Sequence, residues 1–247
     1  MFEDYLPKRK IGSLAPLAVI DNHAYEFYQL VPRGVMLVMV PLGLEAFTRQ
    51  DVERVFAPID RQLDLLLERG VDVVIQSGVP LPILIGPEAL NRLLAHIEAR
   101  AGVPVTSTVL SVVAAAKQLG IKKIAAANKW TDAMNQTLAQ FFGREGISMV
   151  GTNAQSMTPG QFVKMGSGES IELAYELGRG ALERFPMADG VYIGGGAWLT
   201  LPVIAKLEEE FNKPVITNQV ATVWHLLHML GCWSPIPGYG RLLLENH

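Results

Sequence analysis

Two long segments of the chain repeat the same order of sequence features. The segment that begins "GVDVVIQSGVP" and the segment that begins "DGVYIGGGAWL" each place a buried apolar run before glycine, then a helix, a Pro-Val strand and a helix ending in Leu-Gly. Gly78 corresponds to Gly196 in this alignment, and Pro104 corresponds to Pro214. A repeat of this length predicts two similar half-molecules of four strands each, which face each other across a ligand-binding cleft.

Short apolar runs alternate with longer amphipathic stretches along the whole chain. The predicted strands are "KIGSLAP", "GVMLVMVP", "VDVVIQ", "VPVTS", "IKKIAAAN", "ISMVGT", "GVYIGG" and "KPVITN". Runs that are apolar on both faces indicate parallel strands covered by helices, so we predict an α/β fold with two pseudo-symmetric four-stranded parallel sheets. We expect the first half to comprise residues 1–117 with 232–247, and the second half residues 118–231.

Several helix ends can be read from their capping residues. Thr48 with Asp51 resembles a capping box before one helix over "VERVFAPIDRQLDLLLERG", which Gly70 closes. Pro87 stands in the first turn of another helix, and Thr131 or Asp132 caps a third.

Composition excludes several functional classes. The net charge of −3 and the lack of any long basic cluster argue against nucleic-acid binding as the main role. A single cysteine, Cys232, rules out an internal disulfide framework and fits a reducing compartment. The N-terminal residues lack a secretory signal, and no apolar run approaches the roughly 20 residues of a membrane span. We therefore expect a cytoplasmic protein with no membrane partner.

Five stretches of the chain resemble the aspartate/glutamate racemase superfamily. They are "KIGSLAP", "ERGVDVVIQSG", "GVPVTSTVLSVVAAAKQLGIKKIAAAN", "DGVYIGGGAWLTL" and the closing "PGYGRL". Within the superfamily, the chain is most similar to the arylmalonate decarboxylase and maleate isomerase branch. "DNHAYEF", residues 21–27, resembles the maleate isomerase segment in which an asparagine contacts the substrate.

The resemblance implies two pseudo-symmetric α/β domains, an active site between them, and catalysis without a metal or organic cofactor. It also implies catalytic thiols at the ends of equivalent strands, two in racemases and maleate isomerases and one in arylmalonate decarboxylases. These positions correspond to Gly78 and Gly195, so neither half carries the thiol. Cys232 follows the last helix and matches neither position.

The glycines leave two interpretations open. Gly195 and Gly196 precede a helix, where exposed backbone N–H groups bind a carboxylate or a developing enolate oxygen, or else they only permit a tight turn. In the first half, Val79 and Pro80 follow Gly78 where decarboxylases place hydroxyl residues, so oxyanion donors are missing there. An apolar wall would nevertheless strengthen electrostatic interactions in the cleft.

Other polar residues are candidates for proton transfer. Lys129, at the end of a predicted strand, would be a base, a partner for a carboxylate or a solvated surface lysine. His23 is the candidate acid or base from the first half, unless it is structural. The expected substrate-binding residues are Pro16, Asn22, Ser77, Gly78, Val79, Asn128, Trp130, Gly195, Gly196, Thr217 and Asn218. Two possible metal clusters, His225/His228/Cys232 and Asp21/His23/Glu26, lack a convincing ligand set, so we expect no metal.

These observations lead to one main functional prediction. We expect a cofactor-independent lyase or isomerase that acts on a small carboxylic acid through an enolate-type intermediate, using groups other than thiols. The alternatives are a non-catalytic carboxylate-binding protein on a racemase-like scaffold, and a hydrolase or C–N lyase that activates water near His23 or Lys129. A homo-oligomer is possible.

Overall fold

A computed structural model describes residues 3, 6–19, 21–162 and 164–244. The strands are β1 (Arg9–Ala15), β2 (Val35–Pro41), β3 (Val73–Gln76), β4 (Val105–Ser107), β5 (Lys123–Asn128), β6 (Ser148–Ala154), β7 (Gly190–Ile193) and β8 (Val215–Thr217). The helices are α1 (Asn22–Leu30), α2 (Arg49–Phe56), α3 (Ile59–Leu67), α4 (Pro80–Ile85), α5 (Pro87–Ala101), α6 (Thr108–Gln118), α7 (Asp132–Arg144), α8 (Pro159–Phe162), α9 (Ser167–Arg184), α10 (Leu201–Phe211) and α11 (Asn218–Met229). A short 3₁₀ helix, Arg241–Leu243, follows.

The strands form two four-stranded parallel sheets with the same topology. Their orders are β2-β1-β3-β4 and β6-β5-β7-β8. All eight predicted strands are present, and the predicted α/β fold with two similar sheets is confirmed. The central strands β3 and β7 are buried along their whole length, because helices cover both faces of each sheet. None of the described helices is both long enough and apolar enough to cross a membrane.

The strand registers define which residues of the two halves are equivalent. Leu14 pairs with Gln76 in the first sheet, and Ala127 pairs with Ile193 in the second. The first residue after each of the strands β3 and β7 makes an equivalent backbone hydrogen bond. The Ser77 N–H donates to the Leu14 carbonyl, and the Gly194 N–H donates to the Ala127 carbonyl. Gly78 and Gly195 therefore occupy equivalent positions, two residues after β3 and β7.

One predicted helix is wrong, and the capping predictions are confirmed. The single helix expected before Gly70 is two helices, α2 and α3, because Pro58 lacks an N–H and cannot continue the first one. Thr48 accepts a hydrogen bond from the Asp51 N–H at the start of α2, and Thr131 accepts one from Met134 N–H at the start of α7.

The division of the chain into 1–117 with 232–247, and 118–231, remains a prediction. Its boundary falls between the two sheets. After α11, the Arg241 N–H donates to the Glu208 carboxylate of α10 over 2.9 Å, which joins the C-terminal segment to a helix of the second half. Residues 245–247 lie outside the described residues.

A buried carboxylate joins the two halves beside the cleft. Glu26 of α1 is 3% exposed, and it accepts hydrogen bonds from the N–H groups of Thr200 and Leu201, at the start of α10, and from the Thr200 hydroxyl. Burial raises the pKa of Glu26 to about 7, although these donors act in the opposite direction. The contact fixes α1, which carries Asn22 and His23, against the second half.

We predict that Glu26→Gln removes a pH dependence of stability. Between about pH 4.5 and about pH 7, the folded protein holds a proton on Glu26 that the unfolded chain has released. The free energy of unfolding of the wild-type protein, relative to the variant, should therefore fall by about 3 kcal/mol as the pH rises through this interval. Urea unfolding at both ends of the interval measures this difference.

The pKa of His23 is also shifted, so His23 contributes to the pH dependence of both proteins. Subtracting the unfolding free energy of the variant from that of the wild-type protein cancels this contribution. Glu209→Gln, on the exposed face of α10, is the matched control and should change the unfolding free energy by less than about 0.5 kcal/mol at either pH. A difference between wild type and Glu26→Gln that does not change with pH would contradict the raised pKa.

Candidate active site

A cleft lies where the carboxyl ends of both sheets meet. The cleft and its open mouth enclose about 1040 Å³. The first half contributes residues from the segments that follow β1, β2, β3 and β4, and the second half residues from those that follow β5, β6, β7 and β8. Strand ends of parallel sheets are a general place for ligand sites.

Most of the predicted site residues line this cleft. They are Pro16, Asn22, His23, Ser77, Gly78, Val79, Lys129, Trp130, Gly195, Gly196 and Asn218. Their roles stay predictions, but the structure brings them together around one space.

Two predicted residues, Asn128 and Thr217, are not among the lining residues, because their side chains complete local structure. Asn128 donates to Asn135 Oδ1 over 2.7 Å and accepts from the Trp130 N–H over 3.0 Å. Thr217 accepts from the Val220 N–H as the N-cap of α11. Asn128 thus holds the turn that carries Lys129, whereas Thr217 stabilises a helix end.

The glycine loop after β7 presents backbone donors to the cleft. Gly195, Gly196 and Ala197 line it, and within the described residues their N–H groups reach no protein acceptor. The side chain of Trp198 closes the loop, because its Nε1–H donates to the Gly195 carbonyl over 3.2 Å. Gly195 has φ +124°, a backbone conformation that favours glycine. Consecutive open N–H groups of this kind bind anions.

The equivalent loop of the first half is more closed. Gly78 has φ +86°, and a Cβ there would lie 2.7 Å from the ring of Pro16. Its N–H already donates to the Thr108 hydroxyl over 3.1 Å. The Ser77 hydroxyl is paired with that of Ser13 over 2.7 Å. The first half therefore supplies mainly shape and an apolar surface.

Lys129 is a buried amine without a hydrogen-bond partner. Its side chain is 1% exposed, it lines the cleft, and Nζ makes no hydrogen bond to any described residue. Nζ lies 4.1 Å from the ring centroid of Trp198 and 4.6 Å from that of Phe162. The prediction of a solvated surface lysine is wrong, because these two rings enclose the side chain.

Burial changes the charge of this amine. Loss of hydration lowers the pKa of Lys129 to about 7. The two ring faces attract the ammonium form, but cation–π contacts of this kind restore only part of the lost hydration. Near neutral pH the protein therefore holds both the ammonium and the free amine in the cleft.

His23 faces the cleft from α1 as a neutral side chain. Burial lowers its pKa to about 4, and a hydrogen bond to the side chain of Gln219 opposes this shift without reversing it. A neutral imidazole near the cleft orients a polar group, but it is a poor proton donor at neutral pH.

Asn218 presents a side-chain donor from the start of α11. Its Oδ1 accepts the hydroxyl of Tyr192 over 2.6 Å, and burial raises the pKa of Tyr192 well above its usual value, so the phenol keeps its proton. With Oδ1 occupied in this way, the Nδ2 group is left for a ligand.

Sequence reasoning missed the aromatic side of the cleft. Phe47 and Phe162 line it with ring centroids 5.7 Å apart, and Trp198 contacts Lys129 from behind the glycine loop. Phe162 reaches the site because the chain after β6 is tied to β5, where the Met157 N–H donates to the Lys129 carbonyl over 3.0 Å. The one feature near the glycine loop in sequence that could have indicated this aromatic side is Trp198, three residues after Gly195.

The residues considered for metal binding do not form a site. No group of three His, Cys, Asp or Glu side chains in the described part of the chain could hold an ion. His225 contacts the Ser111 hydroxyl over 3.0 Å, and His228 contacts the Trp224 carbonyl over 2.8 Å. Cys232 follows α11, is absent from the lining of the cleft, and has a pKa raised by burial.

Comparison with known proteins gives consistent matches. A sequence model of the arylmalonate decarboxylase family matches residues 22–243. The chain is 26% identical to an arylmalonate decarboxylase of Bordetella bronchiseptica over 207 residues, which are 83% of this chain and 85% of that protein. It is 22% identical to a maleate isomerase of Alcaligenes faecalis over 142 residues, which are 57% of this chain and 54% of that protein.

Solved structures show the same fold. A liganded double mutant of arylmalonate decarboxylase superposes with a TM-score of 0.85 at 25% identity, and the match covers 96% of this chain and 99% of that one. The maleate isomerase of Pseudomonas putida superposes with a TM-score of 0.81 at 19% identity, covering 95% and 98%. With its family match over nearly the whole length, its paired parallel sheets and its cleft between them, the chain belongs to the arylmalonate decarboxylase family, among the enzymes of the aspartate/glutamate racemase superfamily.

Proposed function

We propose that the protein is a cofactor-independent decarboxylase or isomerase of a small carboxylic acid, in which the Lys129 ammonium donates the proton that a thiol donates in the mechanism implied by the resemblance. One observation carries the proposal: the cleft holds a buried amine with no hydrogen-bond partner among the described residues, beside a loop of open backbone donors. The names of the relatives, arylmalonate decarboxylase and maleate isomerase, support a small carboxylate as substrate.

The glycine loop and Asn218 would bind the substrate oxygens. Carboxylate oxygens accept hydrogen bonds from the N–H groups of Gly195, Gly196 and Ala197 and from Asn218 Nδ2. The same donors stabilise the oxygen on which charge develops in an enolate, and they act more strongly because Phe47 and Phe162 exclude water.

Lys129 would then complete the reaction. When a carboxylate leaves as CO₂, the electron pair of the broken C–C bond forms the enolate. The ammonium of Lys129 donates a proton to the enolate carbon, and solvent returns a proton to the amine. A bound dianion raises the pKa of Lys129, so the ammonium form predominates in the complex although the free protein is near its midpoint.

The position of Lys129 agrees with this role. It directly follows β5, and its Nζ lies 4.1 Å from the centroid of the Trp198 ring, which closes the glycine loop. The side chain of Trp198 thus lies between the proton donor, Lys129 Nζ, and the glycine loop that would bind the anion. Cys232 is not among the described residues that line this cleft.

We predict that Lys129 variants separate binding from proton transfer on phenylmalonate. Lys129→Arg keeps a cation but cannot release a proton near neutral pH, so kcat should fall by about 100-fold or more with a smaller change in KM. Lys129→Met should lose both rate and affinity. For the wild-type protein, kcat/KM should fall as the pH rises through about 7, because the free protein must supply the ammonium.

CO₂ release from phenylmalonate and the isomerisation of maleate, followed by proton NMR, are the two assays. Lys122→Met, an exposed position just before β5, is the control and should keep full activity. A variant without Lys129 that retains wild-type kcat on the substrate turned over would sink the proposal, and so would binding of both acids without turnover.

The thiol can be tested independently. Cys232 lies outside the cleft, so Cys232→Ser should keep turnover within about twofold, and iodoacetamide should not inactivate the wild-type protein. Alkylation that abolishes activity, and against which the substrate protects, would show that a thiol takes part.

Substitutions in the glycine loop test the backbone donors. A Cβ on Gly196 meets no heavy atom within 4 Å, and its φ lies outside the left-handed region. Gly196→Ala should therefore leave the melting temperature unchanged but place a methyl group in the cleft and raise KM for phenylmalonate about tenfold. Gly195→Ala should lower the melting temperature, because φ is +124° there.

Gly143→Ala is the matched control, since Gly143 is an exposed position of α7 with no heavy atom near a new Cβ. It should keep KM and stabilise the helix by about 0.5–1 kcal/mol. Unchanged KM for Gly196→Ala would show that the glycine loop serves only the turn.

A further inference from the structure

We infer that Lys129 also acts as a nucleophile, and that the cleft takes β-keto acids, which it decarboxylates through an imine between Nζ and the ketone carbon. The inference rests on the proposed function in using the same cleft and the same anion-binding loop, but it assigns a second substrate class and a covalent step.

The first observation is the lack of any counter-ion. A lysine kept permanently charged in a protein interior normally has a carboxylate partner. Nζ of Lys129 has none among the described residues, and the one carboxylate in the described lining, Asp21, is exposed and caps the start of α1. Glu26 is directed to the start of α10. The site therefore permits the free amine, which is the nucleophilic form.

The second observation is the dry aromatic enclosure of Nζ. Trp198 and Phe162 cover it at 4.1 and 4.6 Å, and Phe47 extends this wall along the cleft. Desolvation to a pKa of about 7 leaves roughly half of the amine neutral near physiological pH. Loss of water from the first adduct is also favoured in such surroundings.

The third observation is that the same side chain, Trp198, contacts both the amine of Lys129 and the glycine loop. Trp198 contacts Nζ and hydrogen-bonds the Gly195 carbonyl, so the open N–H groups of the loop begin one side chain away. A ligand that spans the two needs a carboxylate and, a few bonds from it, an electrophilic carbon. A β-keto acid has both groups, whereas a malonate has no ketone.

The reaction balances without any cofactor. The neutral amine attacks the ketone carbon and a proton moves from nitrogen to oxygen, which gives a carbinolamine. The carbinolamine takes a proton from solvent and loses water to give a protonated imine. The C–C bond to the carboxylate breaks, its electron pair forms an enamine that neutralises the imine nitrogen, and CO₂ departs. The enamine carbon takes a proton from solvent, which restores the protonated imine, and water hydrolyses this imine to release the ketone, the free amine and one proton. One proton is consumed over the whole cycle, as the loss of CO₂ from a carboxylate requires.

Reductive trapping with acetoacetate tests this inference directly. Whole protein incubated with acetoacetate and sodium borohydride should carry an N-isopropyl group on the peptide that contains Lys129, identified by mass spectrometry. In water enriched in heavy oxygen, the acetone first formed should contain the label, because imine hydrolysis replaces the ketone oxygen. The kcat/KM for acetoacetate should rise as the pH increases through about 7, because the reaction needs the free amine of Lys129. This pH profile is opposite to the one expected for phenylmalonate.

Lys129→Arg should lose the adduct and lower acetoacetate turnover by at least about 100-fold, while Lys122→Met keeps both. The trapping experiment on the wild-type protein remains valid even where the Lys129 variant does not fold. Unlabelled acetone, no adduct, or an equal adduct in Lys129→Arg would overturn the inference. Phenylmalonate or maleate turnover that still depends on Lys129 would then leave the proposed function intact, so the two failures are distinguishable.

Discussion

Parallel hydrogen bonding between strands determines where this protein can bind a ligand. In a parallel sheet every strand ends at the same edge, so the segments that follow β1, β3 and β4 converge, as do those that follow β5, β7 and β8. The two sheets repeat one strand order and one register, and their carboxyl edges border a single cleft. The equivalent loops nevertheless differ in chemistry. The first half presents a closed, apolar loop whose glycine N–H is already used, whereas the second half presents open donors and an amine.

Hydrogen-bond satisfaction separates structural polar groups from chemical ones in this site. Ser77, Asn128 and Thr217 all have hydrogen-bond partners. The Ser77 hydroxyl pairs with that of Ser13 on β1, whereas Asn128 and Thr217 bond to residues close in sequence. Glu26 is more costly to bury, and three donors at the start of α10 compensate for part of its lost hydration. Lys129 receives no such compensation from described residues. A buried amine without hydrogen bonds lowers the stability of the folded protein at neutral pH. An anion that binds the folded state beside this amine would offset part of that loss.

The sequence predicted local features well, because local features depend on nearby residues. All eight strands follow from apolar runs, and the Thr48 and Thr131 caps follow from side chains that reach an N–H three residues away. Pro58 divides the segment into two helices, but the amphipathic pattern continues across it, and the sequence therefore predicted a single helix. The site was harder to predict. Lysine after a strand is usually solvated, and the burial of Lys129 depends on Phe162 and Trp198, which lie more than thirty residues away in sequence. Asn128 and Thr217 were indistinguishable from ligand-binding residues until their partners were known.

An amine and a thiol impose different requirements on the same cleft. A thiol is acidic enough to exchange protons with little help from burial, whereas a lysine must be desolvated before its pKa approaches neutrality. The aromatic enclosure by Trp198 and Phe162 meets this requirement, and among the described residues burial alone lowers the pKa of Lys129. Glycine at 195 has a related consequence, because the absent side chain leaves the N–H groups of the loop open to the cleft. In the mechanism that we propose, the glycine loop holds the anion, and Lys129 at the end of the neighbouring strand supplies the proton. A nitrogen at that place differs from sulfur in one chemical respect, since it forms imines with ketones. The imine route that we infer depends on this difference, and it would add β-keto acids to the substrates of the cleft.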